Sequence, residues 1–286
     1  MRGLARHAAR ILLVLTAGGF LGATLVRLAP GFGVDVEELD SRLSDASIEA
    51  LRQAHSSHVS LAGFYFHYLS QLARGNLGVS ETFHEPVRQL LAERFPETLK
   101  TVAMGLALGW AAGLTLALIA VMSRAGVAGL LASLAASLLL CIPAAVLALL
   151  FVIAQAPGRL VVGLIVFPKI FHYARNLLER SAALPHVLTA RAKGAGSLRV
   201  LLWHILPVAA PQLLALAGVS VSLAFAAAIP VEVLCDLPGI GQLAWKAAMG
   251  RDLPLLVDLT MIVTLVTLLA NTAADLVAQP IGAGEP

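Results

Sequence analysis

Arg191 and Lys193 alternate with the small residues Ala190 and Ala192, and Gly194 closes the run. Two cations can pair with carboxylates or carbonyls on a partner. The alanines let that partner approach closely, and the glycine permits a sharp turn at the end of the contact. This is docking chemistry, with no bond made or broken. His204 follows Gly194 by ten residues, at the far end of the same polar, basic stretch. Three more ionisable residues, Lys169, His172 and Glu232, stand in or beside apolar runs and are candidates for an interior or a solute path.

Bond-making chemistry lacks its usual residues. No GxxxxGK[ST] run is present, so the chain is not expected to hydrolyse a nucleotide itself. GxSxG and HExxH are also absent. The two cysteines, Cys141 and Cys235, form no CxxC and have no histidine at ligand spacing, so they read as small packing residues rather than a metal or redox pair. The different-class alternative, an intramembrane enzyme, would need polar residues converging at mid-depth. Lys169 and His172 have no acid at an obvious spacing to work with.

Composition then sets the surroundings. The chain has 286 residues, 58% hydrophobic and 13% charged, with a mean hydropathy of +0.85. A soluble domain carries about 25% charged residues. Too little charge remains to cover a water-facing surface, so lipid is expected to be much of the solvent. A net charge of +3 gives a nucleic-acid partner no support.

About 20 apolar residues cross a bilayer core as a helix. Six segments qualify: 11–29, 98–122, 126–154, 158–178, 205–229 and 255–277. The first is expected to be an uncleaved anchor. The fourth is the weakest, because Lys169 and His172 interrupt it and Pro168 should kink it. With the N-terminus inside, Arg2, Arg6, Arg10, Arg124, Arg175, Arg180, Arg191, Lys193 and Arg199 fall on inner segments. The short outer segments carry only Arg159, Lys246 and Arg251. That bias predicts both termini in the cytoplasm and requires the fourth segment to cross. The chain therefore divides into an N-terminal tail and first helix over 1–29, an external segment over 30–97, and a transmembrane core over 98–286.

Within the core, Gly105, Gly109 and Gly113 recur every four residues and make one bare helix stripe, suited to close helix packing. Asn271 and Asp275 share a face of the last segment. A lysine at the bilayer centre costs roughly 2.5–3.5 kcal/mol on insertion scales. Lys169 is therefore expected to face the interior or the solute path, and a position shallow enough to reach the headgroups is the alternative.

Four segments carry a resemblance, in order, over about two thirds of the chain. They are Gly75 to Ser80, followed by Pro86-Val87 and by Arg94 through Leu99; Pro168 with Tyr173-Ala174-Arg175; Ala190 through Gly194, with His204; and Glu232, then Leu237-Pro238-Gly239-Ile240-Gly241, then Arg251 through Pro254. With these the chain resembles the inner-membrane permease subunits of ABC importers in the dipeptide/oligopeptide/nickel family.

The resemblance implies an all-α membrane protein with the six-helix transmembrane domain of a type I importer, in the bacterial plasma membrane. It implies half of a two-permease pore, paired as a heterodimer, with two ABC ATPase subunits and an external solute-binding protein. ATP and magnesium would be bound by the ATPases, and no cofactor by this chain. The Ala190–Gly194 loop would be the coupling helix. Pro238, Gly239 and Gly241 would be structural. The expected cargo is a peptide or related small solute, with a nickel chelate or an opine as the alternative. The chain departs from the family at Pro185-His186-Val187, where an acidic-Tyr-Val run is usual, at Pro207-Val208, and at Gln279-Pro280-Ile281.

Overall fold

The computed structural model describes residues 74–122 and 126–282, with scattered positions between 13 and 24. The expected first span therefore lies largely outside the described residues, as does most of the segment 30–97. Among the described residues the chain is helical, with a single isolated bridge between Val79 and Pro86.

From Arg74 onward the described residues form, in order, α1 (Val87–Met122), α2 (Val127–Cys141), α3 (Ala144–Ile153), α4 (Arg159–Ala182), α5 (Pro185–Ala192), α6 (Ser197–Val200), α7 (Leu206–Leu234), α8 (Ile240–Met249) and α9 (Leu253–Gly282). A π-helical turn, Leu201–Ile205, joins α6 to α7 without a break. Among the described residues, four helices are long and apolar enough to cross a membrane, and a fifth crossing exists if the bent pair α2–α3 counts as one.

Three boundaries differ from expectation. The helix expected to begin at 98 begins at Val87 and passes through Pro96, so the proposed division at 97 falls inside α1. Apolarity marks where a helix enters lipid, not where its hydrogen bonding starts. The segment 126–154 is two helices bent by 95°. Pro143 explains the break. A proline biases its predecessor away from helix, and Ile142 is extended (φ −85°, ψ 122°). The helix expected at 205 is already running at Ser197. Pro168 lies inside α4, which continues through it to Ala182.

The chain forms two compact units, Met1–Leu91 with Lys246–Thr264, and Ala92–Trp245 with Leu265–Pro286. In the second unit the core gathers Phe167, Phe171, Leu178, Val187, Val200, Ile205 and Leu213 from α4 to α7. The glycine stripe of α1 meets α4. A Cβ at Gly105 would stand 2.5 Å from Val162 Cγ1, and one at Gly113 would stand 2.9 Å from Ile170 Cγ2. Gly109 is looser, with Ile170 at 3.4 Å. Bare backbone lets the helices touch along this line, where dispersion rather than water expulsion holds them. Across α1 and α7, the Trp110 indole N–H donates to Ser220 Oγ at 3.0 Å. Asn271 donates to Ser222 at 3.1 Å, and Ala274 packs on Gly218, so α9 also seats on α7. Asp275 is exposed.

In the first unit, Asp252 organises the turn before α9. One carboxylate oxygen caps the helix by accepting from Leu255 N–H at 3.1 Å. The other accepts from the Ser80 hydroxyl and from Thr82 N–H, the latter at 3.1 Å. Ser80 Oγ in turn accepts from Phe83 N–H at 3.0 Å. Ser80 and Asp252 are both buried, so the bond between their side chains is shielded from water.

Candidate functional site

The helix α5 and its C-terminal turn make a compact, outward-facing knob. Pro185 starts the helix at a position where its missing N–H is no loss. The end is a full two-bond glycine cap. Ala195 N–H donates to Ala190 O at 3.1 Å, and Gly194 N–H donates to Arg191 O at 3.0 Å. Gly194 has φ +80°, a conformation that side chains disfavour. No neighbour crowds it, so its glycine is required by backbone conformation alone.

One face of α5 is spoken for. Val187 and Ala190 are buried in the core of the second unit. Ala190 thus packs inward, while Ala192, Lys193 and Gly194 are exposed. Leu188 is 58% exposed, and beyond the loop Leu198 and Trp203 are 61% and 75% exposed. Arg191 is half-buried and helps line a cavity of about 200 Å³ with Met122, Ser197, Leu201 and Ile205. The surface therefore mixes cations with large apolar side chains, as a protein-docking surface does.

His204 belongs to the π turn. Pro207 lacks an N–H for the Trp203 carbonyl, and its ring crowds that turn, which accounts for the local widening. His186 donates to the His204 carbonyl at 3.1 Å, and the two rings stack with centroids 6.5 Å apart. The unusual His186 thus ties α5 to the π turn.

Glu232 occupies a different place from Lys169 and His172. It is fully buried at the end of α7. Its Oε2 accepts from Gly241 N–H at 2.7 Å, and Thr98 Oγ accepts from Ile240 N–H at 2.8 Å. Both acceptors sit at the N-terminus of α8, where free N–H groups and the helix dipole favour negative charge. Gly239 lies against the carboxyl group so closely that a Cβ would overlap it. A Cβ on Gly241 would stand 2.6 Å from Ile229 O. Pro238 is exposed in the turn between α7 and α8. Glu232, Gly239 and Gly241 are therefore one lock, with Thr98 as its fourth member.

Thr98 and its neighbour Glu97 stood inside a recognised motif, yet residue type did not single them out. Glu97 pairs with Lys100 and with Arg159 at the start of α4, both at 2.6 Å. Sequence separation hid these partners, since Arg159 and Ile240 lie 62 and 142 residues from them. Cys235, just past α7, leans on Gly158 and is half-buried, and burial pushes its thiol pKa up. Cys141 is exposed at the end of α2.

Lys169 and His172 lie on α4, half-buried, one turn apart. His172 Nε2 is 3.4 Å from Ser137 Oγ on α2. One turn further, Arg175 bonds Ser133 and pairs with Glu179 at 2.7 Å. The structure does not bring these residues to Glu232, which is held within its own lock.

A bundle of apolar helices with a capped, cationic loop helix at its surface fits a membrane-embedded transport subunit. The chain matches the family described as binding-protein-dependent transport system inner membrane component over residues 105–282, and it belongs to that family. It is 28% identical to a putative peptide permease protein of Brucella suis over 93% of this chain and 92% of that one. It is 24% identical to the nickel import system permease protein NikB of Staphylococcus aureus over 93% and 86% of the two chains. A probable peptide ABC transporter permease protein of Sinorhizobium fredii is 23% identical over 95% of each. The protein is a multi-pass permease subunit of an ABC importer, working with a solute-binding protein and ATPase partners.

Proposed function

We propose that this chain forms one half of a two-permease pathway for uptake of a peptide or related small solute, with a second, different permease as its partner. Two ATPase subunits bind ATP and magnesium, and this chain binds neither. Six spans place both termini and the loop around α5 in the cytoplasm. The peptide permeases among its relatives support the cargo. NikB keeps a nickel chelate as the second reading, since a pathway for one small polar solute resembles a pathway for another.

The observation that carries the coupling role is the shape of α5. Its inner face is anchored by Val187 and Ala190, and its outer face offers Leu188, Ala192 and Lys193. A knob so anchored transmits a push from an ATPase groove directly into α4 and α7, which share its core. ATP-driven closure of the motors then reorients the permease helices, and solute released by the binding protein crosses.

The test uses the complete importer in proteoliposomes. Gly194→Pro or Arg191→Glu should leave the permease inserted while ATPase binding fails or hydrolysis no longer drives uptake. Reversing Arg191 removes a charged hydrogen bond worth about 1.5–3 kcal/mol and adds repulsion, enough to weaken docking tenfold or more. Normal uptake by both variants would reduce the loop to a topology signal.

A further inference from the structure

We propose that the α4 face carrying Lys169, His172, Tyr173 and Asn176 is a water-lined anion-recognition stripe at mid-membrane, and that the transported solute presents an anionic group to Lys169. The inference rests on the reading of this chain as a solute pathway and adds to it the charge of the cargo.

Position comes first. Lys169 follows Arg159 by ten residues and precedes Ala182 by thirteen. At 1.5 Å per residue it lies about 15 and 20 Å from the two helix ends, beyond the reach of its four-carbon stem. The opposite face of α4 is closed by Phe167, Phe171, Ala174 and Leu178, and Val162 and Val166 close Lys169's own side toward Arg159. The stripe itself is left open. Lys169 and His172 are half-buried, and Tyr173 and Asn176 are exposed.

Chemistry comes second. The stripe continues onto α2. Ser133 and Ser137 are four residues apart and bond Arg175 and His172. This antiparallel register, carried one turn further, sets Cys141 level with Lys169. The face therefore presents two hydroxyls, a thiol, an imidazole, a phenol and an amide around one ammonium group. Glu179 is occupied by Arg175, and no carboxylate among the described residues pairs with Lys169. A polar face of this length does not suit lipid. Its unbalanced charge suits a carboxylate or another anionic group that passes in water.

Cys141 is a native reporter, exposed at the end of α2. The importer, assembled in proteoliposomes with Cys235→Ala in this chain, is treated with two membrane-impermeant methanethiosulfonates, the anionic ethylsulfonate and the cationic ethyltrimethylammonium. Labelling is read from the mass of this chain. Both reagents should modify Cys141. A unit charge about 6 Å away in water changes the local concentration of an ion about threefold, so the anionic-to-cationic rate ratio should fall about tenfold on Lys169→Gln. Lys169→Arg should hold the ratio. Comparing two reagents on one thiol removes any change in thiol reactivity. If Cys141 stays sealed from both while the importer hydrolyses ATP, the stripe is packed against the second permease or lipid and the proposal fails. A ratio unmoved by Lys169→Gln also overturns it. Labelling with the expected ratio in an importer whose ATPase is not engaged supports the stripe and counts against the coupling role of α5 instead.

Discussion

Glu232 has the burial and charge of a transport residue, and its surroundings give it another task. Its carboxylate ends on Gly241 N–H, with Gly239 pressed against it and Thr98 beside it. Glu232→Ala would leave the buried Gly241 N–H of α8 without its acceptor, a loss of about 1–3 kcal/mol. Glu232→Gln keeps an acceptor oxygen and should lose less. Gly239→Ala should also destabilise, by about 1–3 kcal/mol from overpacking. Thermal unfolding of the purified permease pair in detergent reads all three, and an unshifted midpoint for Glu232→Ala would refute the lock. Asp252 makes a similar argument with a local readout. Asp252→Ala should speed hydrogen exchange at the Thr82 and Leu255 amides, whereas Ser80→Ala should chiefly release Phe83, following who donates to whom.

Among the elements, α1 and α4 are matched through missing side chains. The clearances differ along the stripe, so the effects of substitution should differ too. Gly105→Ala meets Val162 at 2.5 Å, and Gly109→Ala meets nothing closer than 3.4 Å. The first should lower the yield of folded protein in membranes and the second should be tolerated. Val162→Ala should rescue Gly105→Ala only in part, because the Cγ1 at 2.5 Å goes while the Cβ at 2.8 Å stays. If Gly105→Ala and Gly109→Ala behave alike, the helices do not touch along this line. The knob α5 is built differently. Its Gly194 is needed for backbone conformation, so relieving packing nearby should not rescue Gly194→Ala.

For the molecule as a whole, crossing direction is the open quantity that charge predicts. Cysteines placed at Ala154 and Ser197, both exposed, in a chain whose native cysteines are alanine, should label from opposite sides of the membrane, Ala154 from outside. Labelling of both from one side would remove the six-span arrangement. The bend between α2 and α3 makes this test informative, because a pair bent by 95° could cross as a broken span or turn back.

Composition and patterning determined that this chain is a helical membrane protein, because a chain with so few charges cannot cover itself in water. The motif order determined its family, and the alternation of cations and alanines before Gly194 marked the docking loop. What the residues could not disclose was partnership. Glu232 read as an interior or pathway group, and α8 folded onto it gives it an interior place. Ala190 looked like a docking residue until Val187 and Ala190 turned inward together. Ser137 and His172 carried no sign of neighbourhood until α2 packed against α4. Local sequence encodes helix, charge and turn through short-range sterics and solvation. Which polar groups meet across 35, 62 or 142 residues depends on how helices pack, and only the tertiary structure decides that.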